Sequence, residues 1–242
     1  MPKSKNIILI PARAGSKSIP NKNMRLFCGK PLIYWAIQAG KKSSWGRVCV
    51  STESIEIAQY AEALGVEVPF IRPKVLSTDT ATTESVLKHA VQEIGIENIF
   101  RLALLQPTSP FRRTSDILDA ETIFNEIGDI TSVFSVKQAV ANQHPEWMIG
   151  LNPEGHVERY TGRSLRDSWG TRQNLIPAYI RNDYVYMFKP ENLFSNDGKL
   201  NMYGKKPKIM VSAPDRIDID INNQVDWDVA EVLFEKFSND FK

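Results

Sequence analysis

Ile7-Ile-Leu-Ile10 is an unbroken apolar run, three of its four residues β-branched, that leads directly into a loop holding Gly15, Pro11, Pro20, Arg13, Lys17 and Lys22. Apolar side chains without alternation are the pattern of a strand buried on both faces of a parallel sheet. That commits the chain to an α/β architecture, in which ligands bind beyond the carboxyl ends of the strands, where this loop lies. Gly15 and Ser16 can offer backbone N–H groups at close range, since glycine carries no Cβ. Residues Pro11 to Asn23 therefore read as a cradle for a polyphosphate. The competing reading is an ordinary solvated connection between strand and helix. The loop contains neither G-x-x-x-x-G-K-[ST] nor G-x-G-x-x-G, so Walker-type NTPases and dinucleotide dehydrogenases lose ground.

The strand–helix rhythm continues through the first half. Pro31 suits a first helical position, with Leu32, Trp35, Ala36 and Ala39 as an apolar stripe. Val48–Ser51 reads as a strand, and Ser54 as the cap of a helix carrying Ile57, Ala58, Ala61 and Leu64 and ended by Gly65. Val66, Val68 and Phe70 alternate as a third strand. A polar stretch from Arg72 to Thr83 precedes a helix with Val86, Leu87, Ala90, Val91 and Ile94. A strand at Phe100–Leu105 ends in Gln106-Pro-Thr-Ser-Pro-Phe-Arg112, a stiff loop on the ligand side. A helix from Ser115 to Glu126 and a strand at Ser132–Val136 follow. This alternation implies βαβ crossovers and a mostly parallel sheet. Further on, Tyr184–Phe188, Lys208–Val211 and Ile217–Ile221 read as strands, and Trp227, Ala230, Phe234 and Phe237 as the stripe of a closing helix.

Between Lys137 and Arg181 the rhythm breaks. The segment is rich in Asn, Gln, Arg and Gly and carries Trp147 and Trp169 without helical spacing. So long a structureless loop is rare inside a compact domain. It reads as an inserted arm that covers its aromatics against a partner subunit, within a single domain spanning residues 1–242.

The 30 basic and 28 acidic side chains leave a formal net charge of +2, which argues against a general nucleic-acid or membrane-surface binder. Anion binding must then come from local placement. Cys28 and Cys49 form no C-x-x-C pair and read as reduced thiols. Met1 to Asn6 is polar, the apolar run behind it is too short for a secretory leader, and none approaches a membrane span. The expectation is a soluble, cytoplasmic protein.

In Ile217-Asp-Ile-Asp-Ile221 an extended backbone would put Asp218 and Asp220 on one face. Two such carboxylates can share Mg²⁺, which takes one or two protein carboxylates and completes its shell with phosphate oxygens and water. An acidic outer face of a half-exposed strand is the alternative. His89, His144 and His156 are scattered, and nothing resembles a nucleophile–His–acid set or a zinc site. Metal-assisted phosphoryl or nucleotidyl transfer, which depends on positioning and charge neutralisation, is the chemistry favoured.

Taken together the chain resembles the acylneuraminate cytidylyltransferases (CMP-sialic acid synthetases). The likeness rests on Pro11-Ala-Arg-x-Gly-Ser-Lys-x-Ile-Pro-x-Lys-Asn23, Arg72-Pro, Thr78-Asp-Thr-Ala81, Leu105-Gln-Pro-Thr-Ser-Pro-x-Arg112 and Asp218-Ile-Asp220. It implies a Rossmann-like, three-layer nucleotidyltransferase fold with an inserted dimerisation arm, and a reaction of CTP with a nine-carbon nonulosonic acid. By this resemblance Arg13, Ala14, Gly15, Ser16 and Lys22 hold the triphosphate, and Asn23, Arg72, Ala81 and Thr83 the cytidine. Gln106, Arg172 and Tyr179 would sit at the sugar, and Asp218 and Asp220 would bind Mg²⁺. Arg13, Lys22 and the two aspartates are the implied catalytic groups, and a homodimer the implied assembly. Trp147 after His144-Pro-Glu, and Asn182-Asp183 in place of Asn-Gly, depart from the sialic acid pattern on the sugar side. N-acetylneuraminate, legionaminate and pseudaminate therefore all stay open. CMP-Kdo synthesis is the alternative enzyme reading, and a silent nucleotide-binding homologue a further one.

Overall fold

The computed structural model describes residues 5–126, 128–167, 175–195 and 201–237. The chain enters on β1 (Asn6–Pro11), makes a short hairpin of β2 (Leu26–Phe27) and β3 (Lys30–Pro31), and continues through α1 (Leu32–Ser43) to β4 (Arg47–Ser51). Helices α2 (Ile55–Ala63) and α3 (Thr83–Ile94) precede β5 (Arg101–Leu104), which is followed by α4 (Thr114–Glu126) and β6 (Ser132–Gln138). Then come the hairpin β7 (Ile149–Leu151) and β8 (Val157–Arg159), the long β9 (Tyr179–Phe188), β10 (Pro207–Val211) and α5 (Gln224–Lys236).

The main sheet has the order β10-β6-β9-β5-β1-β4. β1 runs parallel to both β4 and β5, while β9 pairs antiparallel with β5. Ile7 to Ile10 are all fully buried, as an apolar run without alternation demands. Their side chains alternate between two cores. Ile8 and Ile10 pack with residues of α1, α2, α4 and α5, whereas Ile7 and Leu9 pack with α3. The result is three layers, helices on both faces of a mixed sheet. β4 and β5 flank β1 on opposite sides, so the order reverses at β1. That is the topological switch point where ligand crevices open.

Several expected elements differ. Val66–Phe70 forms no ladder strand: only isolated bridges join Cys49 to Glu67 and Thr52 to Ile71. Pro69 between them has no N–H to donate. Ile217–Ile221 belongs to no strand. Two of its carbonyls accept from side chains instead, Ile217 O from Tyr184 Oη and Ile221 O from Lys22 Nζ. Pro31 lies one position before the helix, as its N-cap. In α5 the buried stripe is Trp227, Ala230 and Phe234, while Phe237 is the exposed C-cap.

The chain divides into two compact units, the first formed by Met1–Ser135, Asn182–Met210 and Ile217–Lys242 and the second by Val136–Arg181 with Val211–Arg216. Inside the second unit, Ala139 N–H donates to Ala178 O and Ser212 N–H to Val136 O. Its buried Arg159 pairs with Glu146 at 3.5 Å. Trp169 lies outside the described residues.

Candidate active site

A cleft of about 490 Å³ opens in the first unit at the carboxyl ends of β1 and β5. The loop after β1 supplies Arg13, Ser16, Lys17, Lys22 and Asn23 to its wall. The stretch before α3 supplies Arg72, Asp79, Ala81 and Thr83, and the loop after β5 supplies Gln106 and Thr108. Asn222, just beyond the aspartate pair, completes it.

Each side chain is held for a local reason. Asn23, 7% exposed, donates its amide to Arg13 O at 2.9 Å and so closes the loop on itself. Lys22 Nζ donates to Ile221 O at 2.9 Å, which ties the loop to the segment carrying Asp218 and Asp220. Burial lowers the Lys22 pKa, with Asp220 opposing that shift and Arg13 reinforcing it. Arg13 and Lys17 both pair with Asp79, at 2.9 and 2.7 Å. Hydrogen bonds from Lys17 and Arg13 hold the Asp79 carboxyl below the usual range. Gln106 is set by Arg112, whose buried guanidinium donates to the carbonyls of Gln106 at 2.9 Å, Asp183 at 3.1 Å and Tyr184.

Arg72 is 4% exposed, and its guanidinium is committed. Nη2 reaches Glu53 Oε2 at 3.1 Å and Nε donates to Ser77 Oγ at 3.0 Å. Burial lowers the Arg72 pKa while Glu53 raises it. For Glu53, burial pushes the carboxyl up, but hydrogen bonds from the Ala14 backbone, its own N–H and Ser77, with the charge of Arg72, bring it below its ordinary value.

Not every expected residue meets in the cleft. Ala14 and Gly15 do not line it, although Ala14 N–H donates to Glu53 Oε1 at 2.8 Å. A Cβ built on Gly15 would meet nothing within 4 Å, so the chain's own packing does not require glycine there. Asp218 and Asp220 do not line the cleft either; Asn222, which does, donates from Nδ2 to Asp220 Oδ2 at 2.8 Å. Tyr179 belongs to the second unit and is exposed. Arg172 lies outside the described residues. Sequence reasoning did not single out Glu53, Asn222 or the pairing role of Asp79. The available signal for Glu53 was its place at the carboxyl end of a parallel strand, where ligands gather.

The cytidylyltransferase family matches residues 7–163. The chain is 32% identical over 237 residues to CMP-N,N'-diacetyllegionaminic acid synthase of Legionella pneumophila, covering 95% of this chain and 96% of that protein. N-acylneuraminate cytidylyltransferase of Escherichia coli is 36% identical over 237 residues; the chain spans 53% of that longer protein. Among solved structures, a CTP complex of CMP:2-keto-3-deoxy-manno-octonic acid synthetase matches with a TM-score of 0.70, covering 97% of this chain and 100% of that one. At 14% identity that is a likeness of fold.

Proposed function

The chain belongs to the cytidylyltransferase family, and from that premise we propose that it couples CTP to a nine-carbon 2-keto-3-deoxy sugar acid, giving the CMP-sugar and pyrophosphate. The observation that carries this reading is convergence. The cationic loop after β1 and the segment after Asp220 line one cleft and are joined by Lys22 on Ile221 O. The anomeric hydroxyl attacks the α-phosphorus in line, and the bond to the bridging oxygen of pyrophosphate breaks. Arg13, Ser16 and Lys22 hold the triphosphate, and the two cations meet the charge that builds on the leaving group. Fixed charges already in place need no reorganisation during the reaction. Asn23, Arg72, Ala81 and Thr83 form the cytidine side of the cleft, and Gln106 serves the sugar.

A divalent cation suits the donor set. Asp220 Oδ1 is buried with no hydrogen-bond partner, while Asn222 holds Oδ2. Among the described residues no cluster of three or more His, Cys, Asp or Glu forms a metal cage. Mg²⁺ needs none, since phosphate oxygens and water fill most of its shell. Asp218 and Asp220 would hold it. When bound, such an ion neutralises phosphate charge and lowers the pKa of a coordinated hydroxyl.

The same reading includes a homodimer and a cytoplasmic location. The second unit exposes Val140, Ile149, Leu151, Val157, Tyr160 and Ile176, apolar side chains that a second copy would cover. Cys28 and Cys49 are in no disulfide, as suits a reducing compartment. No helix among the described residues is long and apolar enough to cross a membrane.

Pyrophosphate release tests the proposal, with CTP and a panel of N-acetylneuraminate, N,N'-diacetyllegionaminate, pseudaminate and Kdo. Release with at least one nonulosonate and not with Kdo is the expected result. Release with Kdo alone, or with none of the four, would overturn it.

A further inference from the structure

Glu53 does not itself line the cleft, yet its two carboxylate oxygens are divided between two of the elements that do. Oε1 accepts from the Ala14 backbone N–H at 2.8 Å, inside the cationic loop. Oε2 accepts from Arg72 Nη2 at 3.1 Å, on the side assigned to the nucleoside. The position of Glu53 is itself fixed. Thr52 Oγ1 accepts from Ser54 N–H at 3.1 Å, Ser54 caps α2 through Ile57 N–H at 3.3 Å, and Arg72 N–H donates to Thr52 O at 2.8 Å. Strand end, helix cap and Arg72 therefore form one rigid corner. From this geometry we propose that Glu53 is a positioning residue that locks the triphosphate loop and the nucleoside wall into a common register. The inference rests on the reading of the cleft as a CTP site.

The chemistry leaves little room for substitutes. The partners that face Glu53 from the two elements, Ala14 N–H and Arg72, are both donors, so both oxygens must accept. Glutamine has one acceptor oxygen, and its amide group would face either Ala14 N–H or Arg72, donor against donor. Arg72 is buried and needs an anion, since an uncompensated buried charge is strongly unfavourable. A carboxylate on a side chain of this length satisfies both at once.

Wild-type protein is titrated with CTP by calorimetry first, and an absence of binding there would sink the CTP reading itself. Glu53→Gln is then compared. Loss of a charge-assisted hydrogen bond predicts CTP affinity down by about 10- to 100-fold. Affinities for inorganic triphosphate and for CMP are both expected to fall, while the KM for the sugar acid moves by less than about 2-fold. A general loss of folded protein lowers kcat through the active fraction and produces no such split between ligands. Unchanged CTP affinity, or a loss confined to only one of triphosphate and CMP, would overturn the inference. Should Glu53→Gln not fold, Glu53→Asp decides, because it keeps the charge and shortens the reach. A fall for both fragments supports the proposal, and unchanged affinity for either one overturns it.

Discussion

Lys22 occupies two roles at the scale of the single residue, a cation for phosphate and a tether to Ile221 O. Lys22→Ala is expected to raise the KM for CTP by about 10-fold or more and to leave the sugar acid nearly unaffected. Equal effects on both substrates would remove Lys22 from the triphosphate. Burial lowers the Lys22 pKa from the ordinary 10.5, so its charge is lost earlier as pH rises, and CTP affinity should weaken on the alkaline side before that value. Asp79 presents the opposite case. It neutralises Arg13 and Lys17 where a triphosphate would need them. Asp79→Asn should tighten CTP binding at low salt, measurable by calorimetry; weaker binding would show that the carboxylate serves the nucleotide. The Glu53 carboxyl is held below its ordinary value of 4.5. Its contribution to stability is therefore present above that value and lost as pH falls through the lowered one. In Glu53→Gln the acid-side drop in the unfolding midpoint should be shallower.

At the scale of elements, the helix closing the chain bears on the site. Asn223 and Asp226 form a capping box at the start of α5, and Asp226 Oδ2 also accepts from Asn222 N–H at 2.9 Å. The box therefore fixes the residue whose amide orients Asp220. Asn223→Ala should cost about 1 kcal/mol in denaturant unfolding, the usual value of an N-cap. An unchanged midpoint would mean that packing alone holds the helix. Trp227 and Phe234 surround Phe27 edge-on at 5.6 and 5.2 Å, so α5 is also anchored to the hairpin preceding α1. Periodicity revealed this helix, as it revealed α1 to α4, because a buried stripe leaves a local signature. It misjudged Val66–Phe70 and Ile217–Ile221 for one physical reason. Alternation describes which side chains are buried, whereas a ladder requires a neighbouring strand with free N–H and C=O groups. Pro69 removes one such group, and Tyr184 and Lys22 occupy others.

At the scale of the whole molecule, the prediction concerns assembly. If the apolar side chains of the second unit meet a second copy, Ile149→Asp, at a residue 62% exposed, should shift the protein toward monomer in light scattering. A wild-type protein that is monomeric at micromolar concentration would refute the homodimer. Asp220→Asn belongs at this scale too, since it tests whether the two ends of the chain form one centre. Pyrophosphate release should be nearly abolished while the thermal midpoint stays close to wild type. Near-normal turnover would take Asp220 out of the reaction.

By itself the sequence determined the α/β layering, the placement of the cationic loop at a strand end and part of the cleft wall, though not Asn222. These follow from periods of a few residues and from the rule that loops at carboxyl ends face the ligand. Only the tertiary structure decided which polar groups meet. Ala14 finds Glu53 across 39 residues and Lys22 finds Ile221 across 199, and the path of the intervening loops selects those partners. No local pattern encodes that path, because a hydrogen bond between distant groups depends on where packing delivers both ends.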